Sequence, residues 1–141
     1  MSEIRVYDSG FRGPCRQEWC EQIDCAGWLE KNYPDRWPLI FHVPNEVTID
    51  KKKPGWAIHL QKRQKMGVRN GVSDIIDFGV VRGAFELKRK DKTAKGVRVT
   101  KEQREFLQAV ADSGGFAAIC YGFEQFKLAY ADYLEFVRES G

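Results

Sequence analysis

The fold is decided by one stretch of the sequence, Asp74-Ile75-Ile76-Asp77-Phe78-Gly79-Val80-Val81-Arg82-Gly83-Ala84-Phe85-Glu86-Leu87-Lys88. Two segments rich in β-formers, 75–81 and 84–88, flank Arg82-Gly83, which has the length and the glycine of a tight hairpin turn. Because successive side chains of a strand point to opposite faces, we expect Glu86 and Lys88 to share one face and Phe85 and Leu87 the other. Pairing across the turn is expected to bring Asp74 near Glu86.

Two carboxylates beside a lysine on one sheet are typical of metal-dependent phosphodiesterases. Asp74 and Glu86 offer the hard oxygen ligands that Mg²⁺ prefers, and a bound cation neutralises the phosphate. Lys88 would orient or deprotonate the attacking water and stabilise charge on phosphorus. The alternative is that Glu86 and Lys88 form a solvent-facing cross-strand ion pair. Another acidic-x-Lys pattern, Asp50-Lys51-Lys52, precedes a proline in a polar run and lacks this strand context.

The flanking sequence predicts helices on both sides of this hairpin. Trp19, Ile23, Ala26 and Tyr33 recur at near-helical spacing, and Thr100 with Gln103 has the form of a capping box. Residues 1–15 are predicted to be an N-terminal arm or a short edge element, and residues 16–141 a single domain. The other predicted elements are helices 16–32, 56–66, 100–113 and 123–137 and strands 39–43 and 116–121. This order predicts a three-layer α/β domain with a mixed central sheet.

Composition excludes several classes of protein. Among 141 residues, 43% are apolar and 30% charged, which is typical of a globular chain and not of a disordered one. No apolar run approaches the roughly 20 residues that span a bilayer. The first residues lack the apolar segment of a secretion signal, so we expect a cytoplasmic protein without a membrane partner. Four cysteines without a C-x-x-C pattern, together with only two histidines, argue against zinc-based chemistry.

Charge is concentrated in the middle of the chain. Residues 51–104 contain 16 Lys or Arg and 5 Asp or Glu, a net charge of +11, whereas residues 1–50 contain 5 and 9 and residues 105–141 contain 2 and 6. Such a segment favours a polyanionic partner, since basic side chains release counterions from phosphates; a solvated basic loop is the alternative. The candidates for DNA binding are Lys62, Arg63, Lys65, Arg69, Arg89, Lys90 and Lys92.

These motifs resemble the virus-type replication-repair nuclease (VRR-NUC) domain of the PD-(D/E)XK nuclease superfamily. The resemblance rests on 41–46 (FHVPNE), 65–74 (KMGVRNGVSD) and 85–89 (FELKR), and continues through 100–107 and Gly114-Gly115-Phe116. It covers nearly the whole chain and implies a restriction-endonuclease-like fold. Ser73 stands where many members have proline, but that position supplies no ligand.

The resemblance also implies roles for individual residues. Asp74 and Glu86 would hold Mg²⁺ or Mn²⁺ with the main-chain carbonyl of Leu87, and Lys88 would be the catalytic lysine. The first helix would contribute Glu18 to the metal site, and Gln22 lies one turn later on the same face of the helix. Glu21 is the alternative to Glu18. Three weaker candidates follow, each with a capping role as the alternative: Asn45, Glu46 and Gln103, the last of which could contact the lysine or the phosphate.

The expected function is a Mg²⁺- or Mn²⁺-dependent endodeoxyribonuclease without a nucleotide cofactor, serving replication and repair of phage or mobile-element DNA in a bacterial host. By resemblance to stand-alone members, and because a two-fold dimer matches the symmetry of a four-way junction, the prediction is a homodimer that resolves Holliday junctions. The aromatic residues of the arm and first helix are candidates for the dimer surface, and the alternative is that they fill the protein's own core; they are Tyr7, Phe11, Trp19 and Trp28. The alternatives are a flap-directed or catalytically silent DNA-binding module on the same fold and an RNA-cleaving enzyme.

Overall fold

A central mixed β-sheet with helices on both faces forms the framework of the molecule. The computed structural model describes residues 3–44, 50–69 and 71–141. In these residues the elements are β1 (Ile4–Tyr7), α1 (Glu18–Asn32), β2 (Ile40–His42), α2 (Trp56–Lys65), β3 (Ile75–Asp77), β4 (Gly83–Lys88), α3 (Lys101–Asp112), β5 (Phe116–Tyr121) and α4 (Phe123–Ser140). The predicted α/β class, with helices flanking a mixed sheet, is confirmed. None of the described helices is long and apolar enough to cross a membrane.

The strands of the described residues lie in the order β1-β5-β4-β3-β2. β1, β5 and β4 run parallel, and β3 and β2 continue the sheet in antiparallel fashion. β1 is therefore an edge strand, which is one of the two alternatives that the sequence left for the first residues. β5, a continuous apolar run at an interior position of the sheet, is buried along its whole length, as expected for a strand covered on both faces.

The two faces of the sheet carry separate apolar clusters. Phe85 and Leu87 of β4 pack with α1 and α4, where Leu29, Phe126 and Tyr130 are buried. The opposite face, to which Ala84 of β4 belongs, packs with α3. Alternation along β4 then places Glu86 and Lys88 on one face, as predicted, and in the structure this is the face that α3 covers.

The hairpin turn is longer than predicted. β3 ends at Asp77, which pairs with Gly83, so the connection between β3 and β4 is the five-residue segment 78–82. The prediction of a tight turn at Arg82-Gly83 is therefore wrong. The chain leaves the strand early because the Asp77 side chain accepts a hydrogen bond from the Gly79 N–H at 3.1 Å. Asp77 itself is held by Arg36, whose guanidinium donates to both of its carboxylate oxygens, and by the hydroxyl of Tyr130.

The predicted apolar stripe of α1 is also wrong. Trp19 and Ile23 are 65% and 60% exposed, while the buried side of the helix is formed by Glu21, Cys25 and Leu29. Glu21 can be buried because Arg16 pairs with its carboxylate and the Phe123 N–H at the start of α4 donates to it at 2.9 Å. This ionic anchor turns the helix away from the orientation that its apolar spacing suggested.

Gly71 brings the chain before β3 against the start of α3. Its φ of +86° lies in the left-handed region, and a Cβ at this position would lie 2.4 Å from the carbonyl carbon of Glu102. Only glycine meets both requirements without displacement of the helix. This close approach brings the segment that leads to Asp74 and the first turn of α3 to the same end of the sheet.

Candidate active site

Asp74 and Glu86 meet where β3 begins and β4 ends. Asp74 directly precedes β3, and its Oδ2 accepts a hydrogen bond from the Leu87 N–H at 2.8 Å. The antiparallel register, in which Ile75 pairs with Phe85, places the Asp74 carboxylate beside the following residue of β4. The predicted approach of these two carboxyl groups thus follows from the hairpin pairing.

Glu86 is a buried acid. It is 1% exposed, and its Oε1 has no hydrogen-bond partner within the described residues. Burial raises the pKa of Glu86 well above its ordinary value, the neighbouring carboxyl group of Asp74 raises it further, and the charge of Lys88 lowers it only in part. A buried carboxyl oxygen without a partner is costly unless a ligand satisfies it.

Lys88 is buried as well and is held by Gln103. The lysine is 7% exposed, and its Nζ donates to Gln103 Oε1 at 3.1 Å while lying 3.9 Å from Glu86 Oε2. The burial of both residues rules out the solvent-facing ion pair. Since 3.9 Å is longer than a hydrogen bond, the amide oxygen of Gln103 is the closer partner of the ammonium group.

Gln103 combines the two roles that the sequence presented as alternatives. Its side-chain oxygen accepts from the Thr100 N–H at 2.9 Å, and its own N–H donates to Thr100 Oγ1 at 3.1 Å, which completes the capping box of α3. The same oxygen accepts the bond from Lys88. A carbonyl oxygen has two lone pairs, so the helix cap and the lysine are served together.

Glu18 and Glu21 lie in different surroundings. Glu18, the first residue of α1, lines the same cleft as Asp74 and Glu86, and its negative charge contributes to the raised pKa of Glu86. Gln22 lines this cleft one turn later. Glu21 has its carboxylate bound to Arg16 and to the start of α4 and does not line this cleft. The geometry therefore favours Glu18 over Glu21 as the helix residue of the site.

The site is an open cleft of about 580 Å³. Its lining includes Trp19, His42 and Arg98, which the sequence did not single out as part of the site. His42 Nδ1 lies 2.7 Å from the main-chain oxygen of Asp74, which also accepts from the Val43 N–H. His42 belongs to the motif 41–46, but no pattern in the sequence assigned these three positions to the site, since they come from three separate segments that only folding brings together. Asn45 and Glu46 lie outside the described residues.

The predicted DNA-binding residues fall into two groups. Lys62, Arg63, Lys65 and Arg69, called here the α2 basic cluster, lie on or just after α2, which has no buried residue. From 51 to 69 the chain contains seven Lys or Arg and no Asp or Glu. This part of the surface is thus positively charged and open to solvent.

The second group contacts the N-terminal segment. Arg89 donates to the carbonyls of Cys15 and Arg16, Lys90 lies 4.6 Å from the ring centroid of Phe11, and Lys92 pairs with Asp8 at 3.2 Å. The two hydrogen bonds of Arg89 attach the loop that leads into α1 to the end of β4. The DNA-binding role of Arg89, Lys90 and Lys92 stays a prediction, and these contacts give them a structural role in addition.

The two central carboxyl groups fit a hard divalent cation. No cluster of three or more His, Cys, Asp or Glu side chains suited to a metal ion occurs in residues 3–44, 50–69 and 71–141. Mg²⁺ often takes one or two carboxylates and keeps several waters, so Asp74 with the unpartnered oxygen of Glu86 is a compatible donor set. A main-chain oxygen or water would complete the coordination.

Comparison with known proteins identifies a shared fold. No family model matches the sequence, and no curated protein matches it. Among solved structures, one described as a VRR_NUC domain protein superimposes with a TM-score of 0.67 at 18% identity, over 87% of this chain and 92% of the other. At this identity the likeness shows the fold, and it confirms at that level the resemblance that the motifs indicated.

Proposed function

We propose that this chain, which has the fold of a VRR_NUC domain protein, is a metal-dependent nuclease that hydrolyses phosphodiester bonds in DNA. The observation that carries the proposal is the group Asp74, Glu86 and Lys88 at the wall of an open cleft. Burying Glu86 and Lys88 together beside the half-buried Asp74 is costly, and the unpartnered Glu86 Oε1 lowers stability further. Such a cost is typical of a site shaped for catalysis.

In this proposal each residue has a definite task. Asp74 and Glu86 would hold Mg²⁺ or Mn²⁺, with the Leu87 carbonyl and, through water or directly, Glu18 as further ligands. The chemistry that such an ion would supply is neutralisation of the phosphate charge and a lower pKa for a water molecule. Lys88 donates hydrogen bonds to the attacking water or to a phosphate oxygen, and Gln103 keeps its ammonium group in place. Gln22, Asn45 and Glu46 are candidates for second contacts to water or metal.

DNA would be attracted by the positively charged surface. Three members of the α2 basic cluster are exposed and Arg63 is half-buried, and Lys88 and Arg98 place positive charge in the cleft itself. Phosphate contacts of this kind provide affinity without sequence preference. Branched or duplex DNA is therefore the proposed substrate.

The finer proposal is a homodimer that resolves four-way junctions. One domain of this size offers one catalytic group, and a junction needs two strands cut in a related way. A two-fold dimer provides two sites with the symmetry of the junction. Of the four aromatic residues considered for its surface, Trp28 packs instead against Phe126 and Tyr130 in the core.

The catalytic proposal is tested by cleavage of duplex, flap, fork and four-way DNA with Mg²⁺, with Mn²⁺ and with a chelator. We expect Asp74→Asn, Glu86→Gln and Lys88→Ala each to reduce cleavage by several orders of magnitude while DNA affinity and the circular dichroism spectrum stay close to wild type. The matched control is Asp50→Asn, which alters the acidic-x-Lys pattern outside the site and should cut normally. Cleavage by Glu86→Gln at the wild-type rate would contradict the assignment.

Two further outcomes separate the alternatives. A wild-type protein that binds DNA but cuts none of these substrates with either metal would be a silent binding module. Sedimentation at micromolar concentration gives the stoichiometry, and a monomer that prefers single flaps to four-way junctions would refute the junction-resolving dimer while leaving the catalytic residues unaffected.

A further inference from the structure

Trp19 is exposed at a position where an indole ring has no structural task. It is 65% exposed in the first turn of α1, whereas Trp28 on the same helix packs edge-to-face with Tyr33, Phe123 and Phe126. In the described part of the chain, Trp19 has no stacking or cation–π partner. An exposed large aromatic residue is informative when it lies at a site.

The indole ring lies at the wall of the proposed active-site cleft. Trp19 follows Glu18 directly and lines the cleft together with Asp74, Glu86 and Lys88. The rest of the described wall is polar, charged or small, so Trp19 is its one large apolar side chain. The cleft thus combines acids, the basic groups of Lys88 and Arg98, the imidazole of His42 and one indole ring.

α1 holds this residue firmly. Three turns of the helix are anchored on the sheet side by the buried Glu21, Cys25 and Leu29, and Glu21 is tied to both Arg16 and the start of α4. The backbone of Trp19 is therefore fixed relative to the catalytic residues. A rigid aromatic ring loses little conformational entropy when a ligand stacks on it.

We infer that Trp19 is a stacking platform for an unpaired nucleobase next to the scissile phosphate, and that it selects DNA with frayed or branched structure. The inference rests on the proposed nuclease function. Bases inside a duplex are covered on both faces by their neighbours, so an indole ring can stack only on a base at an end, a bulge or a branch. Lys88 and Arg98 provide the positive charge that the adjoining phosphates require.

The test measures binding without metal and cleavage with metal on the same substrates. The probes are a fluorescein-labelled fork with unpaired thymidines at the branch, the same fork with an abasic site at each unpaired position in turn, and a fully paired duplex. The variants are Trp19→Ala and Trp19→Phe. Ile23→Ala is the matched control, because Ile23 is equally exposed one turn further along α1 but does not line the cleft.

Trp19→Ala is expected to bind the fork about 5- to 150-fold more weakly, since a stacked base contributes on the order of 1–3 kcal/mol. One abasic position should weaken wild-type binding by a similar factor and leave Trp19→Ala unaffected. Duplex binding should change less than about 2-fold, Trp19→Phe should retain most of the affinity, and Ile23→Ala should match wild type. In cleavage, KM for the fork should rise more than kcat falls.

The remaining outcomes overturn one proposal or the other. If no abasic position distinguishes wild type from Trp19→Ala while both cut DNA, the stacking role is refuted and the nuclease function stands. If wild type neither binds nor cuts any probe, the proposed function itself fails. If Trp19→Ala changes the sedimentation coefficient from dimer to monomer, Trp19 belongs to an interface between two copies of the chain, and the stacking role is again refuted.

Discussion

Replacing Gln103 with alanine tests whether the cap of α3 and Lys88, the proposed catalytic lysine, are linked. The Gln103 side-chain oxygen accepts one hydrogen bond from the Thr100 N–H and one from Lys88 Nζ. Thr100→Ala is the matched control, because it removes the other half of the same capping box, the bond from the Gln103 N–H to Thr100 Oγ1, and leaves the bond to Lys88 in place. Each variant thus removes one of the two hydrogen bonds of the capping box, but only Gln103→Ala also removes the hydrogen bond to Lys88.

The magnitudes follow from these contacts. Loss of a cap costs about 1 kcal/mol, so Thr100→Ala should lower the free energy of unfolding by about that amount. Gln103→Ala also deprives a buried ammonium group of its acceptor, which adds about 1.5–3 kcal/mol, since Glu86 Oε2 at 3.9 Å is too distant to replace it. A misplaced catalytic group costs up to about 100-fold in rate, so we expect kcat for DNA cleavage to fall roughly 10- to 100-fold in Gln103→Ala.

The assay compares chemical unfolding and single-turnover cleavage for both variants at saturating metal and DNA. Thr100→Ala should cut within about 2-fold of wild type once both proteins are folded, because the capping contribution concerns stability alone. Equal losses of cleavage in the two variants would show that Gln103 acts only through the cap. A fully active Gln103→Ala, with Lys88→Ala inactive, would show that the lysine needs no support from this residue.

The remaining predictions concern the acid in α1, the buried aspartate and the basic surface. Although burial acts to raise it, the pKa of Glu21 is lowered because the hydrogen bonds from Arg16 and from the N-terminus of α4 outweigh burial. A lowered pKa in the folded state means that this acid stabilises the protein above its ordinary pKa of 4.5 and stops doing so as the pH falls through the folded value. Glu21→Gln should therefore lower the free energy of thermal unfolding by about 1–3 kcal/mol at pH 7, and by progressively less below pH 4.5. Glu18→Gln should instead reduce cleavage and have little effect on stability. The reverse pattern would exchange the roles of the two acids. Asp77→Ala leaves Arg36 without its carboxylate and should lower the free energy of chemical unfolding by roughly 3 kcal/mol. This value is the lower end of the range for broken buried ion pairs, because the Arg36 side chain is 28% exposed. A change below about 1 kcal/mol would contradict this account. Neutralising the α2 basic cluster should reduce the slope of log affinity for duplex DNA against log salt by about 0.9 for each phosphate that the cluster no longer neutralises, and an unchanged slope would mean that this surface does not face DNA.

Local pattern was sufficient to predict most of the secondary structure and the meeting of Asp74, Glu86 and Lys88 at one site. Alternation along β4 placed Glu86 and Lys88 on one face, and short-range pairing of β3 with β4 brought Asp74 to Glu86. The capping box at the start of α3 could be read from two residues, Thr100 and Gln103. These features depend on interactions between neighbours in the chain, which periodicity and spacing describe directly.

The sequence could not decide which face of α1 is buried or where the hairpin turns. Both depend on charged residues that pair across long distances in the chain: Glu21 with the start of α4, and Asp77 with Arg36 and Tyr130. A sequence pattern counts such acids as solvent-facing, since burying a charge is favourable only when a partner from elsewhere satisfies it.

The position of Trp19 was decided in the same way. The sequence left Trp19 as a residue of the core or of a dimer surface, yet the anchoring of Glu21 turned the helix and left the indole ring at the wall of the cleft, beside residues from β2, β4 and α3. By itself the sequence determined the local elements and which side chains one hairpin brings together, because those follow from the backbone geometry of short segments. Only the tertiary structure determined which side chains share the cleft, because that depends on buried ionic and packing interactions between segments far apart in the chain.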